Sequence, residues 1–349
     1  MKKVLVGMSG GVDSSAAVWL LQEQGYAVDG VTLLLTEGSA CGSSRDAEDA
    51  RLTAARLGIV HRALDRREVF YQTVIRDFAD TYAAGATPNP CIVCNREIKF
   101  GLLLEQALTE GFDAVATGHY ARIERGENGR WLLKKAADAS KDQSYVLYSL
   151  TQHQLAHTLF PLGDRLKADL RVLAAEKGWE TAHKPDSQDI CFIPNGDYAA
   201  FLEQTMGIRR EPGDFLDMNG QVVGRHTGMI GYTIGQRKGL GVAFGEPRFV
   251  VHKDAARNTV TLGKSEDLFS DTLIADRLNW IAIDALGEPM TVTAKTRYSQ
   301  REAEAVIAPH GDGQVKVTFK EPQRAITVGQ AVVFYDGDTV VGGGTIREV

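Results

Sequence analysis

The chain is poor in cysteine, contains no long apolar run and carries no excess of positive charge. Only four cysteines occur in 349 residues, which excludes a disulfide scaffold. No run of about 18 apolar residues is present, so the sequence predicts no transmembrane helix. The first residues enter a predicted strand without a signal-peptide pattern, and we expect a cytoplasmic protein with no membrane partner. The formal net charge is −6, so any binding of nucleic acid must depend on local patches.

The pattern of apolar residues predicts three domains. Strands alternate with helices over residues 1–205, which predicts an α/β domain whose parallel sheet is covered by helices on both faces. Short strands separated by glycines over residues 206–272 predict a small central β-rich domain. Five strands predicted in residues 273–349 indicate a small closed β-barrel. The predicted fold is therefore a parallel-sheet domain followed by two small β-rich domains.

A glycine-rich segment, residues 8–15, joins the first predicted strand to the first predicted helix. Gly10 and Gly11 let the backbone approach a ligand, and the first N–H groups of the helix favour an anion. Three serine hydroxyls add further donors, so the segment predicts a phosphate-binding loop. No lysine follows the glycines, which excludes a Walker A loop. A glycine-rich turn without a ligand is the alternative interpretation.

Cys91 and Cys94 form a C-x-x-C motif just before and at the start of a helix predicted over residues 95–110. A thiol at a helix N-terminus has a lowered pKa, which favours thiolate chemistry. Redox and zinc sites also use this motif. A thioredoxin-type motif, however, opens its helix directly in a small domain, and a structural zinc ion needs four ligands. No second C-x-x-C is present to complete a zinc site.

Other candidate residues are spread along the chain. Gly118 and His119 follow the fourth predicted strand, at the edge where parallel sheets bind ligands. Cys191 lies in an apolar segment, residues 190–193, that predicts a short strand, and on its own it is interpreted as a buried core residue. A polar cluster over residues 141–145 is typical of a solvated helix N-terminus. Lys167 belongs to the basic face of a helix predicted over residues 166–177, and such faces are usually solvated.

Six motifs, taken together and in order, resemble the family of tRNA-specific 2-thiouridylases, which are PP-loop ATP pyrophosphatases. The motifs occupy residues 7–14, 89–95, 118–120, 141–145, 186–193 and 232–241, and the resemblance covers nearly the whole chain. It implies a sulfurtransferase that adenylates the C2 oxygen of the wobble uridine of tRNA. Sulfur from a cysteine persulfide then replaces that oxygen, with release of AMP and pyrophosphate.

The resemblance also implies roles for individual residues. Cys94 would be the catalytic nucleophile, and Cys191 would carry the persulfide and form a transient disulfide with Cys94. The residues implied to bind ATP are Gly7, Met8, Ser9, Gly10, Gly11, Val12, Asp13, Ser14, Leu33 and Gly118. Those implied to contact the target base are Asn89, Pro90 and Cys91. Those implied to contact tRNA are His119, Lys141, Asp142, Gln143, Arg297, Tyr298 and Gln330.

The same resemblance implies ATP and Mg²⁺ as cofactors, with Asp13 as a candidate indirect ligand of the metal. tRNA would bind through its anticodon loop, and a sulfur-relay protein or a cysteine desulfurase would donate the persulfide. Many members of the family carry Asp where this chain has Cys91. Cys91, Cys94 and Cys191 could therefore hold an iron–sulfur cluster with one open iron. The cluster and the persulfide mechanism both remain open at this point.

Two other classes of function also use features of this sequence. An amide-forming PP-loop ligase would adenylate a small carboxylic acid, but it needs no cysteines in two separate loops. A non-catalytic RNA- or nucleotide-binding protein needs no intact Ser-Gly-Gly-x-Asp-Ser loop. The production of AMP with tRNA, or with a small acid, separates these classes.

Overall fold

The structure is a computed structural model, and it describes residues 1–37, 42–179, 190–193, 196–242 and 244–349. Cys41 and residues 186–189 of the motif that precedes Cys191 lie outside the described residues. Among the helices of the described ranges, none combines the length and the apolar character that a membrane crossing requires.

The first two hundred residues alternate strands and helices, as predicted. The strands are β1 (Lys3–Gly7), β2 (Ala27–Leu34), β3 (His61–Asp65), β4 (Ala114–Thr117), β5 (Arg122–Arg125), β6 (Trp131–Lys134) and β7 (Thr158–Leu159). The helices are α1 (Val12–Glu23), α2 (Ser44–Leu57), α3 (Arg67–Phe70), α4 (Arg76–Ala83), α5 (Pro90–Val93), α6 (Leu103–Thr109), α7 (Ser144–Leu147), α8 (Gln152–Ala156), α9 (Lys167–Glu176) and α10 (Tyr198–Met206). π-Helical segments, Tyr71–Ile75 and Cys94–Leu102, join α3 to α4 and α5 to α6.

Five of these strands form a parallel sheet in the order β3–β2–β1–β4–β7. The central strand β1 is buried on both sides. Val4 and Val6 pack into a cluster with α1, α2 and α9, whereas Leu5 packs into a second cluster on the opposite face. This alternation is what a parallel sheet covered by helices on both faces requires, and it confirms the predicted architecture.

Two local predictions in this region are wrong. The helix predicted from residue 95 begins at Pro90. Proline is favoured at the first helical position, because its φ is already helical and because an N–H group there would find no acceptor within the helix. Both cysteines of the C-x-x-C motif are therefore inside the helix. Residues 190–193 form a turn instead of a strand, with the Ile193 N–H donating to the Ile190 carbonyl at 3.0 Å.

The remainder of the chain is rich in β-structure. The central sheet has the order β10–β11–β8–β9 and consists of β8 (Gly213–Leu216), β9 (Val222–His226), β10 (Phe249–Asp254) and β11 (Thr259–Gly263). The last strands are β12 (Phe269–Trp280), β13 (Met290–Lys295), β14 (Ala303–His310), β15 (Gln314–Arg324), β16 (Ala331–Asp336) and β17 (Thr339–Glu348).

These last six strands form the closed antiparallel barrel that the sequence predicts. Their order is β12–β15–β14–β13–β16–β17, and β12 closes the barrel by pairing with β17. Strand β12 was not among the five predicted strands, and the domain boundary predicted near residue 273 falls inside it. The sequence-based boundary therefore cuts through a strand.

The barrel is attached to the parallel-sheet domain through the β5–β6 hairpin and a shared core. Lys134 of β6 pairs with Thr339 of β17, which extends the barrel sheet by two strands. Tyr145 of α7 and Tyr335 of β16 lie in the same apolar cluster as Leu5 of the central strand β1. Residues of the two domains therefore share one core.

Candidate active site

Residues 8–15, which we call the phosphate loop after the ligand predicted for them, run from the end of β1 into the first turn of α1. Gly10 has φ +66°, and a Cβ atom there would lie 2.7 Å from the carbonyl oxygen of Asp46, so only glycine fits. The Ser14 hydroxyl accepts from the backbone N–H of Ser9 at 3.2 Å and donates to the carbonyl of Gly11 at 3.1 Å. Serine side chains thus fix the loop, in addition to any contact that they make with a ligand.

The ends of the neighbouring strands meet this loop. Gly118 follows β4, and a Cβ atom at this position would lie 2.7 Å from the carbonyl carbon of Asp13 and 2.8 Å from the backbone nitrogen of Ser14. The backbone of β4 therefore packs directly on the first turn of α1. Leu33 lies near the end of the adjacent strand β2. The structure thus brings the phosphate loop, Gly118 and Leu33 to one edge of the sheet.

Asp13 and Lys167 form an ion pair at this edge that the sequence did not predict. Lys167 Nζ lies 2.6 Å from both carboxylate oxygens of Asp13, and the Tyr120 hydroxyl donates to Asp13 Oδ1 at 2.8 Å. Lys167 is only 5% exposed, so its interpretation as part of a solvated basic face is wrong. The two residues are 154 positions apart, and no local pattern signals their contact.

The two cysteines implied in sulfur transfer border the same apolar cluster. Cys94 is buried at the start of the π-helical segment, and Cys191 is half-buried in the 190–193 turn. Both belong to one apolar cluster, whose members include Phe78, Phe192 and Leu35. We call this arrangement the cysteine site. Since Leu35 directly follows β2, the cysteine site borders the same edge of the sheet as the phosphate loop.

Cys91 has a different environment from Cys94, although only one helical turn separates them. Its side chain is exposed, whereas Cys94 is buried. Burial, and to a smaller extent the electrostatic interactions with Asp142 and Cys91, raise the pKa of the barrel residue Tyr298. Within the described ranges, no group of three or more His, Cys, Asp or Glu side chains is placed to hold a metal ion.

The barrel holds the segment that precedes Cys91. The Thr87 N–H donates to the carbonyl of Val328 at 2.9 Å, and Gln330 Nε2 donates to the carbonyls of Thr87 at 3.2 Å and Pro88 at 2.9 Å. A Cβ atom on Gly329 would lie 2.9 Å from the Thr87 backbone. Gln330, implied by resemblance to contact tRNA, therefore has an intramolecular role in positioning the segment that leads to Asn89, Pro90 and Cys91.

The neighbouring barrel residues Arg297 and Tyr298 differ in what they present to solvent. Arg297 Nη2 donates to the carbonyls of Ala325 at 2.7 Å and Ile234 at 3.3 Å and to the Thr327 hydroxyl at 2.7 Å. This guanidinium thus joins the barrel to the central domain, and burial lowers its pKa. Tyr298 is 45% exposed and offers an aromatic face.

Segment 141–143 also makes contacts within the chain. The backbone N–H of Gln143 donates to the carbonyl of Tyr120 at 2.8 Å, and the Gln143 Oε1 accepts from the N–H of Tyr120 at 2.9 Å. Asp142 accepts from the N–H of Ala136 at 3.0 Å and from the hydroxyl of Ser144 at 2.7 Å. Lys141 is half-buried next to them. The segment therefore joins the start of α7 to Tyr120, whose hydroxyl binds Asp13 of the phosphate loop.

His119 directly follows Gly118 and packs among aromatic side chains. Its Nδ1 lies 2.6 Å from the hydroxyl of Thr117, and its ring packs against Phe100 and Phe160. Burial, helped by the positive charge of Lys99, holds the pKa of His119 well below its ordinary value. At neutral pH this imidazole can therefore exchange hydrogen bonds but cannot supply a positive charge to a phosphate.

Three family models match the chain in succession. The tRNA methyl transferase HUP domain matches residues 2–195, the tRNA methyl transferase PRC-barrel domain matches residues 199–264, and the aminomethyltransferase beta-barrel domain matches residues 270–346. The first of these alone covers more than half of the chain.

Curated relatives match along their whole length. The tRNA-specific 2-thiouridylase MnmA of Acetivibrio thermocellus is 51% identical over 99% of both chains, and that of Halothermothrix orenii is 49% identical over 100% of this chain and 99% of its own. The solved structure of the U34-tRNA thiolase NcsA from Methanococcus maripaludis, with its 4Fe-4S cluster, is 20% identical and covers 55% of this chain and 61% of its own. Its TM-score of 0.37 is too low to bear on cofactors here. The relatives that match along their whole length and the family models together show that the chain belongs to the family of tRNA-specific 2-thiouridylases.

Proposed function

We propose that the chain is a tRNA 2-thiouridine synthase, a sulfurtransferase that uses ATP and a cysteine persulfide. Membership of the family supports the reaction and the tRNA substrate. The observation that supports the mechanism is the cysteine site, in which Cys94 and Cys191 pack into one apolar cluster although they are 97 residues apart in the sequence. Their cluster borders the sheet edge that holds the phosphate loop. The residues proposed for adenylation and those proposed for sulfur transfer therefore lie at one edge of the sheet.

In the first half-reaction, the C2 oxygen of the uridine attacks the α-phosphorus of ATP, and pyrophosphate leaves. The phosphate loop would bind the phosphates through its backbone and the N-terminus of α1. No Cβ atom fits at Gly10 or Gly118, so glycine at these positions lets the loop pack closely against α2 and the segment after β4. Mg²⁺ would arrive with the ATP phosphates. Asp13 already binds Lys167, so we assign it no direct bond to the metal.

In the second half-reaction, sulfur replaces the activated oxygen. A sulfur-relay protein or a cysteine desulfurase would load Cys191 with a terminal sulfur. The Cys94 thiolate attacks the Cys191 sulfur of this persulfide, which forms the Cys94–Cys191 disulfide and releases hydrosulfide. Hydrosulfide then attacks C2 and expels AMP. A dithiol reductant must supply two electrons to restore both thiols before the next turnover.

We propose persulfide chemistry in preference to a resident iron–sulfur cluster. A cluster would require Cys91, Cys94 and Cys191 to surround one point. Cys91 is exposed, Cys94 is buried and Cys191 is half-buried, and no three His, Cys, Asp or Glu side chains of the described residues are grouped to hold a metal ion. We therefore place Cys91 with Asn89 and Pro90 in contact with the target base.

tRNA would bind on the side of the site where Tyr298 is exposed. The bases of an anticodon loop are already single-stranded, so turning one into the site costs little. The exposed ring of Tyr298 offers a stacking surface, and Lys295 Nζ lies 5.9 Å from its centre and adds positive charge. The contacts of Lys141 and of the other implied residues with tRNA stay predictions. A cytoplasmic location, where tRNA is used, is part of this proposal.

Serine substitutions test the assignment of the two thiols. We expect Cys94→Ser and Cys191→Ser each to lower thiolation of unmodified tRNA by about a hundredfold or more, because each removes one sulfur of the relay. Affinity for ATP should stay within about twofold of the parent chain. 2-Thiouridine would be measured by mass spectrometry after digestion of the tRNA, together with AMP.

Cys91→Asp is the matched control, because family members carry Asp there, and it should retain thiolation. Normal thiolation by Cys94→Ser would overturn the proposed mechanism. AMP production that depends on a small carboxylic acid and not on tRNA would instead support an amide-forming ligase. The absence of AMP under both conditions would support a non-catalytic binding protein.

A further inference from the structure

Cys91 is an exposed thiol that the mechanism above uses only for its position beside the target base. The three cysteines of the described residues differ in exposure, since Cys91 is exposed, Cys191 is half-buried and Cys94 is buried. The sulfur relay itself requires only Cys94 and Cys191. An exposed thiol can react with other thiols and with disulfides. The position of Cys91 one helical turn before the proposed nucleophile therefore suggests a part in the thiol chemistry.

The start of the helix places Cys91 and Cys94 on one face. Cys91 is the second residue of α5, and the N–H of Cys94 donates to the carbonyls of Cys91 and Pro90. Cys94 itself keeps helical dihedral angles, with φ −59° and ψ −44°. Residues three positions apart in a helix have Cβ atoms about 5–6 Å apart, and a disulfide needs about 3.5–4.5 Å. A small closing of this first helical turn therefore brings the two sulfurs within bonding distance.

The two disulfides that Cys94 can form differ in their accessibility to a reductant. Cys94 is 8% exposed, and Cys191 packs against the same apolar cluster, together with Phe192. A reductant breaks a disulfide when its thiolate attacks one of the two sulfurs, so the rate depends on access to that sulfur. A bridge between Cys94 and Cys191 offers no exposed position, whereas a bridge between Cys91 and Cys94 offers one at Cys91.

We propose that Cys91 resolves the Cys94–Cys191 disulfide at the end of each turnover. The Cys91 thiolate attacks the Cys94 sulfur, the Cys91–Cys94 bond forms, and Cys191 leaves as a thiolate. This exchange moves the disulfide and involves no net oxidation or reduction. A dithiol reductant then attacks the exposed Cys91 sulfur, and Cys94 leaves as a thiolate. The second thiol of the reductant displaces Cys91 and completes the transfer of two electrons.

The exchange also orders the steps of the cycle. Because Cys91 is placed against the target base, bound tRNA covers it until the thiolated product leaves. Cys191 is then regenerated by the exchange before any reductant arrives, and it can accept the next persulfide. This inference rests on the proposed function, since sulfur transfer supplies the Cys94–Cys191 disulfide on which Cys91 acts.

The direct test is to locate the disulfide after a single turnover without added reductant. The chain, loaded with persulfide, would react with ATP and unmodified tRNA, and acid quenching, alkylation and peptide mass spectrometry would follow. We expect a Cys91–Cys94 bridge and an alkylated Cys191 in the parent chain. Cys91→Ser should instead accumulate the Cys94–Cys191 bridge, because the resolving thiol is missing.

Repeated turnover gives a second readout, in which each chain serves as its own reference. With a protein dithiol of the thioredoxin class, the rate of later turnovers relative to the first should fall about tenfold or more in Cys91→Ser and in Cys91→Asp. With dithiothreitol, which is small enough to reach a half-buried sulfur, the ratio should return to within about threefold of the parent value. A merely structural role of Cys91 would not depend on the size of the reductant.

Cys41→Ser is the matched control, since Cys41 is the remaining cysteine of the chain, and it should give the bridge and the ratio of the parent. A Cys94–Cys191 bridge with alkylated Cys91 in a parent chain that has formed 2-thiouridine would overturn the inference. So would an unchanged ratio in Cys91→Ser with the protein dithiol; should this variant fail to fold, Cys91→Asp decides. If the parent chain forms no 2-thiouridine, the proposed function itself fails.

Discussion

The phosphate loop and the cysteine site lie at the same edge of the parallel sheet but are built in different ways. The loop is one contiguous segment, and its shape is set by glycines that admit no side chain and by serines bound to its own backbone. The cysteine site combines a π-helical segment with a turn 97 residues later. The segment that leads into this helix is held by the barrel, through Gln330, some 240 residues away.

This difference teaches which part of the reaction each domain can affect. The phosphate loop depends on its own residues, on β4 and on α9, all within the parallel-sheet domain. The segment that leads to Cys91 and Cys94 depends on Gln330, in the barrel turn just before β16. Changes to the barrel should therefore alter sulfur transfer without altering the binding of ATP.

Among the variants that separate the two regions, Gly118→Ala should have the largest effect, and it should damage the phosphate loop alone. The new Cβ atom would lie 2.7 Å from the Asp13 backbone, so α1 or β4 must shift. Overpacking of this kind costs about 1–3 kcal/mol of stability, and we expect ATP affinity to fall by about tenfold or more. Calorimetry with an ATP analogue and thermal unfolding would measure the two effects.

Gly287→Ala is the control, because a Cβ atom there meets no atom within 4 Å. Loading of Cys191 with persulfide, followed by mass spectrometry, should be unchanged in Gly118→Ala. If persulfide loading fell as much as ATP binding, the separation between the two regions would be wrong.

A smaller effect is expected from Gln330→Ala, which should affect the cysteine site alone. The variant loses the hydrogen bonds to the carbonyls of Thr87 and Pro88, whereas the backbone contact between Thr87 and Val328 remains. Since hydrogen bonds of this kind contribute about 0.5–1.5 kcal/mol each, the turnover rate for thiolation should fall roughly fivefold to tenfold. ATP affinity should stay unchanged.

Gln221→Ala, at an exposed position in the central domain, should behave like the parent chain in the same assays. The tRNA affinity of Gln330→Ala separates its two assigned roles. A fall in turnover with normal tRNA affinity supports the role in positioning the 87–91 segment. A fall in tRNA affinity with normal turnover would contradict that role and favour a direct contact.

The smallest expected effect concerns the pH dependence of stability and His119, which directly follows Gly118. Because its pKa in the folded chain lies well below its ordinary value, the unfolded chain binds more protons as the pH falls below about 6.5. The free energy of unfolding should therefore be highest above that pH and decline on acidification. In His119→Gln this decline, followed by urea unfolding from pH 7.5 to pH 5, should be shallower. An identical pH profile in the variant would show that His119 is not the responsible group.

The sequence predicted what is local and missed what depends on distant contacts. The phosphate loop and β1 to β4 were predictable, because short motifs and apolar runs specify them. The pairing of Lys167 with Asp13 and the inward role of Arg297 were not, since their partners lie far along the chain. Strand β12 escaped prediction because it is irregular: Arg277 has φ +49°, and the register with β17 shifts after Asp276.

The central claim is that the thiols of Cys94 and Cys191 deliver sulfur without a metal cluster. The most direct test is to purify the chain anaerobically, to measure iron and acid-labile sulfide, and to assay thiolation of unmodified tRNA in the same sample with a persulfide donor. The account predicts full activity in samples that contain no iron. Activity that rises in proportion to iron content would contradict it and would make Cys91, Cys94 and Cys191 the ligands of a cluster.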